Sequence, residues 1–333
     1  MVVHSKPFGR DQSVVARRSR SVWFTLGLLV LIMATVLWSP SAWAQNPPRI
    51  GILQMVEHPA LDDSRIGFLE AIEAAGYTPG KDIIIEYHNA QNDMSVVRAI
   101  AENFVNSRVD LIYAIATPPV QTVAALTKEI PVLFAAVRDP IAAQVVESFE
   151  RPGGNITGTS HWTPVSSQIK LVQELIPGVQ RVGVIYNAGE VNARVQVEEA
   201  REWAKSVGIP LVERTVSSTA EVQQAAQSLV GQASVIYVPT DNTVVAALES
   251  LLTVAERFKI PVVAADMSTA ERGAVAAYGA DFRQLGRQAG QMALRILFEG
   301  ADPATMPVEF QKEQDLALNL GAAKRMGLEI PPE

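Results

Sequence analysis

The chain has 333 residues, 48% of them hydrophobic, and a formal net charge of −7, a composition typical of a globular protein of about two domains. It contains no cysteine, which excludes a disulfide scaffold, a cysteine-ligated metal centre and a cysteine nucleophile. No basic run follows the first twenty residues, so we expect no nucleic-acid partner.

The N-terminus has the three-part pattern of a secretory signal peptide. Basic residues around Arg18 are followed by an apolar run over 22–38 and by a small-x-small cleavage signal that ends at Ala44. We therefore predict that residues 1–44 are removed on export and that the mature chain is a soluble protein of the bacterial periplasm. The alternative is an uncleaved membrane anchor, because an apolar run of this length is at the short limit for a membrane span.

After this leader, short segments rich in valine and isoleucine alternate with segments of helical period, which predicts parallel sheets covered by helices. The predicted strands are 49–54, 82–87, 109–115, 131–136, 155–159, 181–186, 210–215, 234–239, 261–265 and 274–278. The predicted helices are 60–75, 95–107, 118–128, 164–176, 191–207, 219–230, 242–258 and 282–299.

The two halves of the mature chain resemble each other. Residues 49–53 (RIGIL) match 181–185 (RVGVI), and 130–132 (IPV) match 260–262 (IPV) at a similar offset. A repeat of this kind indicates two lobes of one topology. We predict an α/β protein of two doubly wound parallel-sheet lobes joined by a three-strand hinge, the architecture of type I periplasmic binding proteins.

The predicted lobes cover 45–159 and 163–278. Residues 279–333 are predicted to form a crossover helix and a terminal strand–helix unit that returns between the lobes. Candidate crossovers lie near 159–163, 279–283 and 307–316.

Polar residues follow equivalent strands in both halves, and the carboxyl ends of parallel strands meet at one edge of a sheet. In the first half the candidate binding residues are Gln54, His58, Thr117, Pro118, Ala136, Val137 and Asp139. In the second half they are Tyr186, Asn187, Glu190, Asn192, Thr240, Asp241, Asn242 and Asp266. We expect these residues to line a cleft for a small polar solute.

Two of these positions have complementary chemistry. Thr117 begins a predicted helix, whose N-terminus suits the anionic end of an amino acid or a related carboxylate. Asp241, in the other lobe, would pair with an ammonium group. Helix capping alone is an alternative explanation for both residues, as turn formation is for Asp139 and a favourable helix-start position is for Glu190.

Motifs of serine hydrolases, zinc proteases, phosphate-binding loops and dinucleotide-binding domains are absent from the sequence. The histidines of the mature chain, His58, His88 and His161, are not spaced as metal ligands, so we expect no metal and no cofactor. The main alternative to a binding protein is a secreted enzyme that uses a cleft carboxylate with His58.

Several segments together resemble a known family. They are 58–62 (HPALD), 116–118 (ATP), 137–140 (VRDP), 152–158 (PGGNITG), 186–192 (YNAGEVN) and 239–242 (PTDN). The chain resembles the ABC-transporter substrate-binding proteins of the tryptophan/tyrosine type over nearly all of 48–333. Arg138 and Ala193 depart from the threonine and serine that the family often has there.

This resemblance implies a monomeric receptor that closes two lobes around a small polar solute, an amino acid such as an aromatic one or a related small carboxylate. The closed form would be presented to permease subunits in the inner membrane. A periplasmic sensor subunit that docks on a signalling receptor is a further alternative, because the same solute-binding lobes serve either role.

Overall fold

The computed structural model describes residues 46–330. The predicted signal peptide lies outside the described residues. The strands are β1 (Arg49–Gln54), β2 (Ile84–Asn89), β3 (Leu111–Ile115), β4 (Val132–Val137), β5 (Ile156–Ser160), β6 (Val182–Asn187), β7 (Leu211–Val216), β8 (Val235–Val238), β9 (Val262–Ala264), β10 (Ala276–Gly279), β11 (Glu309–Phe310) and β12 (Asp315–Leu318).

The helices, which alternate with these strands, are α1 (Pro59–Ala74), α2 (Met94–Asn106), α3 (Thr117–Leu126), α4 (Val165–Leu175), α5 (Val191–Val207), α6 (Val222–Leu229), α7 (Asn242–Ala246), α8 (Leu248–Phe258), α9 (Ser268–Arg272), α10 (Phe282–Glu299) and α11 (Leu320–Arg325). A 3₁₀ turn over Thr219–Glu221 precedes α6. No helix within 46–330 has the length and apolar character that a membrane span requires.

The strands form two six-stranded sheets with the same strand order. The first sheet runs β11-β5-β4-β3-β1-β2, and the second runs β12-β10-β9-β8-β6-β7. Every pairing is parallel except that of β12 with β10. We call each sheet with its helices a lobe. The predicted fold of two doubly wound parallel-sheet lobes is confirmed.

Burial explains why the central strands could be predicted from the sequence. All residues of β3 and β4 are buried, because helices cover both faces of the sheet. The strands β2 and β7 lie at the sheet edges and are only partly buried. Continuous apolar runs therefore mark the centre of each sheet, and mixed sequences mark its edges.

The chain passes between the sheets three times, after β5, after β10 and after β11. Helix α10 packs against α1 of the first lobe with their backbones in close contact. A Cβ at Gly67 would overlap the Arg283 carbonyl oxygen, and one at Gly286 would overlap that of Ser64. The strand β12 instead joins the second sheet. These three crossings form the hinge and bring the carboxyl ends of both sheets to one cleft.

One predicted helix is interrupted. The segment 242–258 is broken at Ala247, which has φ −110° and ψ 24°, into α7 and α8. An alanine inside an apolar helical pattern carries no local sign of such a break. The short α7 is held at its start by side chains of the neighbouring loop, described below.

Candidate functional site

A small cavity, of about 20 Å³, lies between the two lobes at the carboxyl ends of their strands. We call it the central cavity. Its lining includes seven of the residues predicted from the sequence: His58, Ala136, Asn192, Thr240, Asp241, Asn242 and Asp266. Four further residues were not predicted, namely Leu61, His161, Val245 and Phe282. Both His161 and Phe282 lie at hinge crossings, so including the predicted crossovers among the candidates would have found them.

A second and wider space, the outer cavity, also lies between the lobes. Its lining includes Met55, Asn92 and Gln121 from the first lobe, and Asn187 and Glu190 from the second. Of the predicted residues, Pro118, Asn187 and Glu190 contribute to it.

Five predicted residues line neither cavity: Gln54, Thr117, Val137, Asp139 and Tyr186. The amide of Gln54 donates to the Val56 carbonyl and to Asp62, both at 2.9 Å. The hydroxyl of Tyr186 donates to Glu213 at 3.0 Å.

Two of these five serve the first lobe locally. The side chain of Val137 belongs to the apolar core of this lobe. The carboxylate of Asp139 accepts the N–H groups of Ile141 and Ala142, as a turn-forming aspartate does.

Thr117 begins α3, with its hydroxyl buried and unpartnered among the described residues. The two residues after it, Pro118 and Pro119, have no N–H, so this helix start offers an anion fewer backbone donors than usual. The preceding Ala116 has φ 90°, and Ala136 at the end of the neighbouring strand has φ 55°. Such strained alanines are concentrated at functional sites.

The carboxylate of Glu190 holds the start of α7. Its Oε1 accepts from the Thr243 N–H at 3.1 Å and the Thr243 hydroxyl at 2.9 Å. Its Oε2 accepts from the Asn242 N–H at 3.1 Å and the Asn242 amide at 2.5 Å. Glu190 is therefore fully occupied within its own lobe and ties the start of α5 to the start of α7.

Asp241 is also occupied within the second lobe. Its Oδ2 accepts from the Asn187 N–H at 2.6 Å, and its Oδ1 caps α7 by accepting from Val244 N–H at 2.9 Å. Burial and the nearby Glu190 raise the pKa of Asp241 well above its ordinary value. The capping role considered in the sequence analysis is present in the structure.

Asp266, after β9, is bonded differently. Its Oδ1 accepts from the N–H and the hydroxyl of Ser268 at 2.9 and 2.8 Å. Its Oδ2 has no partner within residues 46–330. Burial raises the pKa of this carboxyl, and the bonds from Ser268 oppose the rise. Asp266 can therefore offer the cavity an oxygen that Asp241 does not.

The hydrogen bonds around Thr240 determine the tautomer of His161. The Thr240 hydroxyl donates its one hydrogen to Gln196 at 3.1 Å. Its oxygen must therefore accept from Nε2 of His161, 3.3 Å away. Consequently Nδ1 of His161 is an acceptor, and it is buried without a partner among the described residues. Burial, helped by the charge of Arg138, lowers the pKa of His161 to about 3, which keeps the ring neutral.

Two more polar groups of the central cavity are buried and unpartnered in the part of the chain that the structure describes. One is Oδ1 of Asn192, whose amide nitrogen donates to the Thr240 carbonyl at 2.7 Å. The other is Nδ1 of His58. Burial, helped by Arg272, lowers the pKa of His58 to about 4 against an opposing effect of Asp62.

Unpartnered buried polar atoms facing a cavity are groups that a bound molecule can satisfy. Two lobes that enclose such a cavity, joined by three segments, are the architecture of a two-lobed solute receptor. Two polar contacts already join the lobes: Asn92 donates to the Thr243 hydroxyl at 3.3 Å, and Arg138 pairs with Glu199 at 2.8 Å.

A family model for ABC transporter substrate binding proteins matches residues 49–333, and the chain belongs to this family. The tyrosine-binding protein of Clostridioides difficile is 41% identical over 286 residues, which cover 86% of this chain and 83% of that protein. A conserved domain protein of Vibrio cholerae has a crystal structure with TM-score 0.84 and 40% identity, covering 86% of this chain and 97% of the other.

Two further structures bear on the arrangement of the lobes. The ABC domain from Streptococcus pneumoniae in complex with L-Trp has TM-score 0.82 at 32% identity, covering 86% of this chain and 97% of that one. The ligand-free, open structure of a Clostridium difficile substrate-binding protein has TM-score 0.65 at 41% identity, covering 86% and 96%. The less identical chain fits better, so the lobes here are arranged more like those of the L-Trp complex.

The relatives are solute-binding proteins, so the protein is a binding component and not an enzyme. As the substrate-binding protein of an ABC transporter, it works with a small-molecule solute and a membrane permease. Among the described residues no three histidine, aspartate or glutamate side chains are grouped as metal ligands.

Proposed function

We propose that the solute is an amino acid with an aromatic side chain, and that its ammonium group lies in the central cavity. The observation that carries this proposal is the set of acceptors that face the cavity. They are Nδ1 of His161 and Oδ1 of Asn192, which are buried without a partner in the described structure, and Oδ2 of Asp266, which accepts no hydrogen bond from residues 46–330. An ammonium group has three donors and no acceptor, so it matches three such atoms.

The charges around the cavity support the same orientation. Its lining includes the carboxyl of Asp266, one oxygen of which is free of the bonds from Ser268, and, within the described range, no lysine or arginine. The guanidinium groups of Arg138 and Arg272, which act on residues of the lining, are paired with Glu199 and Glu249, each at 2.8 Å. A cation therefore gains more from this cavity than an anion does.

Asp266 is a better partner for the ammonium than Asp241, which was the residue expected from the sequence. Both oxygens of Asp241 already accept backbone N–H groups, whereas the bonds of Asp266 use one oxygen. An incoming donor at Asp241 would share an oxygen that is already bonded. At Asp266 it would complete the hydrogen bonding of a buried group.

The apolar surface and the volume for an aromatic side chain come from both cavities. Leu61, Val245 and Phe282 supply apolar surface in the central cavity, and the outer cavity, of about 540 Å³, has the volume that a ring requires. The names of two relatives point the same way, one being a tyrosine-binding protein and the other a domain crystallised with L-Trp.

The experiment is calorimetric titration with L-tyrosine, L-tryptophan and two analogues of tyrosine that each lack one charged group. Tyramine keeps the ammonium and lacks the carboxylate, whereas 3-(4-hydroxyphenyl)propionate keeps the carboxylate and lacks the ammonium. We expect both amino acids to bind and tyramine to bind more tightly than the deaminated analogue. Equal or reversed affinities of the two analogues would contradict the proposed orientation.

Substitution of Asp266 provides a second test of the proposal. Asp266→Asn is expected to weaken binding of L-tyrosine by about tenfold or more, since a charge-assisted hydrogen bond is worth roughly 1.5–3 kcal/mol. The matched control is Asp315→Asn, because Asp315 is an exposed acid of the adjacent hinge and does not line the central cavity. An unchanged affinity in Asp266→Asn would show that Asp266 does not bind the solute.

The same proposal includes export to the periplasm and function as a monomer. Export is supported by the leader pattern of the sequence, and an extracytoplasmic location is typical of this family. Sedimentation of the mature protein with and without L-tyrosine tests the monomer, which a concentration-dependent dimer would contradict.

A further inference from the structure

We propose that Arg138 and Glu199 form an ion pair between the lobes that sets the balance of closed and open protein, and thereby the affinity for any solute. This inference rests on the binding role of the family and is independent of which solute is bound. The two side chains are joined by parallel hydrogen bonds, from both terminal nitrogens of Arg138 to both carboxylate oxygens of Glu199, each 2.8 Å long.

The arginine is held in place on its own side of the contact. Its side chain is 0% exposed, and one terminal nitrogen also donates to the Thr163 carbonyl at 3.0 Å. Its guanidinium lies 6.0 Å from the centre of the Trp162 ring. Thr163 and Trp162 belong to the first hinge crossing, so Arg138 links the end of β4, the hinge and the second lobe.

The two ends of the pair belong to different lobes. Arg138 directly follows β4 of the first sheet, and Glu199 lies within α5, which packs in the second lobe. Rotation about the hinge changes the distance between them. Arg138 is buried, whereas the Glu199 side chain is 36% exposed, so removing Glu199 leaves a buried charge without compensation, which is costly in a low-dielectric environment. The pair therefore favours the closed arrangement, in which it is made.

Neither residue lines the central cavity. Because the charge of Arg138 also acts on His161 in that cavity, closure is read from the ratio of closed to open protein without solute, and the apparent affinity scales with the fraction of binding-competent protein. A closure effect reduces the affinity for different solutes by one common factor. A direct contact with the aromatic side chain would change each affinity differently, because the side chains of tyrosine and tryptophan differ in size and hydrogen bonding.

The experiment measures the distance between the lobes. Spin labels are placed at Val96→Cys in α2 and Ala220→Cys in the 3₁₀ turn, both exposed and in different lobes. The chain has no cysteine of its own to interfere. Distance distributions are recorded for Glu199→Gln and for Glu198→Gln, without solute and over titrations with L-tyrosine and L-tryptophan. Glu198 is the matched control, because it pairs with Arg201 on the same helix.

In Glu199→Gln we expect the ratio of closed to open protein to fall about tenfold, with an equal loss of affinity for both amino acids. Glu198→Gln should behave as the parent. Adding Arg138→Met to Glu199→Gln should recover much of the loss, because no buried charge then lacks a partner.

Identical distance distributions in the parent and Glu199→Gln would overturn the proposal, as would unequal losses for the two amino acids. If neither amino acid binds the parent, the proposed solute is wrong. In that case the distance distributions of the solute-free variants still test whether the ion pair favours the closed arrangement.

Discussion

Replacement of Asp241 by alanine separates a structural role for this residue from a role in holding solute. In the structure its carboxylate joins the end of β6 to the start of α7, through the N–H groups of Asn187 and Val244. The residue is 0% exposed, so water cannot replace these bonds without rearrangement. Asp241→Ala therefore leaves two buried donors unpaired.

The size of the effect follows from those two donors. An unsatisfied buried N–H group costs about 1–3 kcal/mol, which gives about 2–6 kcal/mol for the pair. Burial, and then the neighbouring Glu190, raise the pKa of Asp241 and make its charge unfavourable, so removing that charge offsets part of the loss. We expect a net destabilisation of about 2–4 kcal/mol and a melting temperature lower by roughly 5–10 °C.

Scanning calorimetry and titration with L-tyrosine on the same preparation test this prediction. The expected result is the lower melting temperature with an affinity within about threefold of the parent at a temperature where the variant is folded. The control Asp93→Ala removes an exposed cap of α2 and should cost only about 1 kcal/mol. Normal melting with binding weakened tenfold or more would refute the reasoning and make Asp241 a ligand contact.

Three further predictions concern pH, packing and export. Burial lowers the pKa of His58 to about 4 and that of His161 to about 3, from 6.5, so protonation of either ring opposes closure. The affinity for L-tyrosine should therefore fall between about pH 7.5 and 5.5, by about tenfold for each histidine that opening of the lobes exposes to water. A flat pH profile in calorimetric titrations would contradict this prediction. Gly67→Ala should destabilise the protein by about 1–3 kcal/mol or more in thermal unfolding, because its Cβ would overlap α10, whereas Gly154→Ala, with open space around it, should be neutral. N-terminal sequencing of the periplasmic protein should begin at Gln45, and full-length chain in the membrane fraction would refute cleavage.

Much of the fold could be read from the sequence because its signals are local. Central strands such as β3 and β4 are buried on both faces and appear as unbroken apolar runs. The repeat of such runs predicted two lobes with one strand order. The break at Ala247 could not be predicted, because it is stabilised by Glu190 from another loop and leaves no mark in the helical pattern.

The candidate site could be predicted only in part, because some of its residues are brought together by contacts between distant segments. Polar residues at strand ends were predicted as a group, and seven of them line the central cavity. The sequence could not separate Gln54, whose amide is used within its lobe, from His58, which faces the cavity. It also missed His161 and Phe282, because the hinge crossings reach the cavity only when the two sheets face each other.

The sequence by itself determined the class of fold and the edge of the sheets at which the central cavity lies, since strands and strand ends follow from local patterns of apolar and polar residues. Only the tertiary structure decided which acid keeps a free oxygen. Asp241 and Asp266 both follow buried strands, but one is satisfied by an N–H group 54 residues away and the other by its near neighbour Ser268. Hydrogen bonds between residues distant in the chain decide which polar atoms remain for the solute, and no local pattern records them.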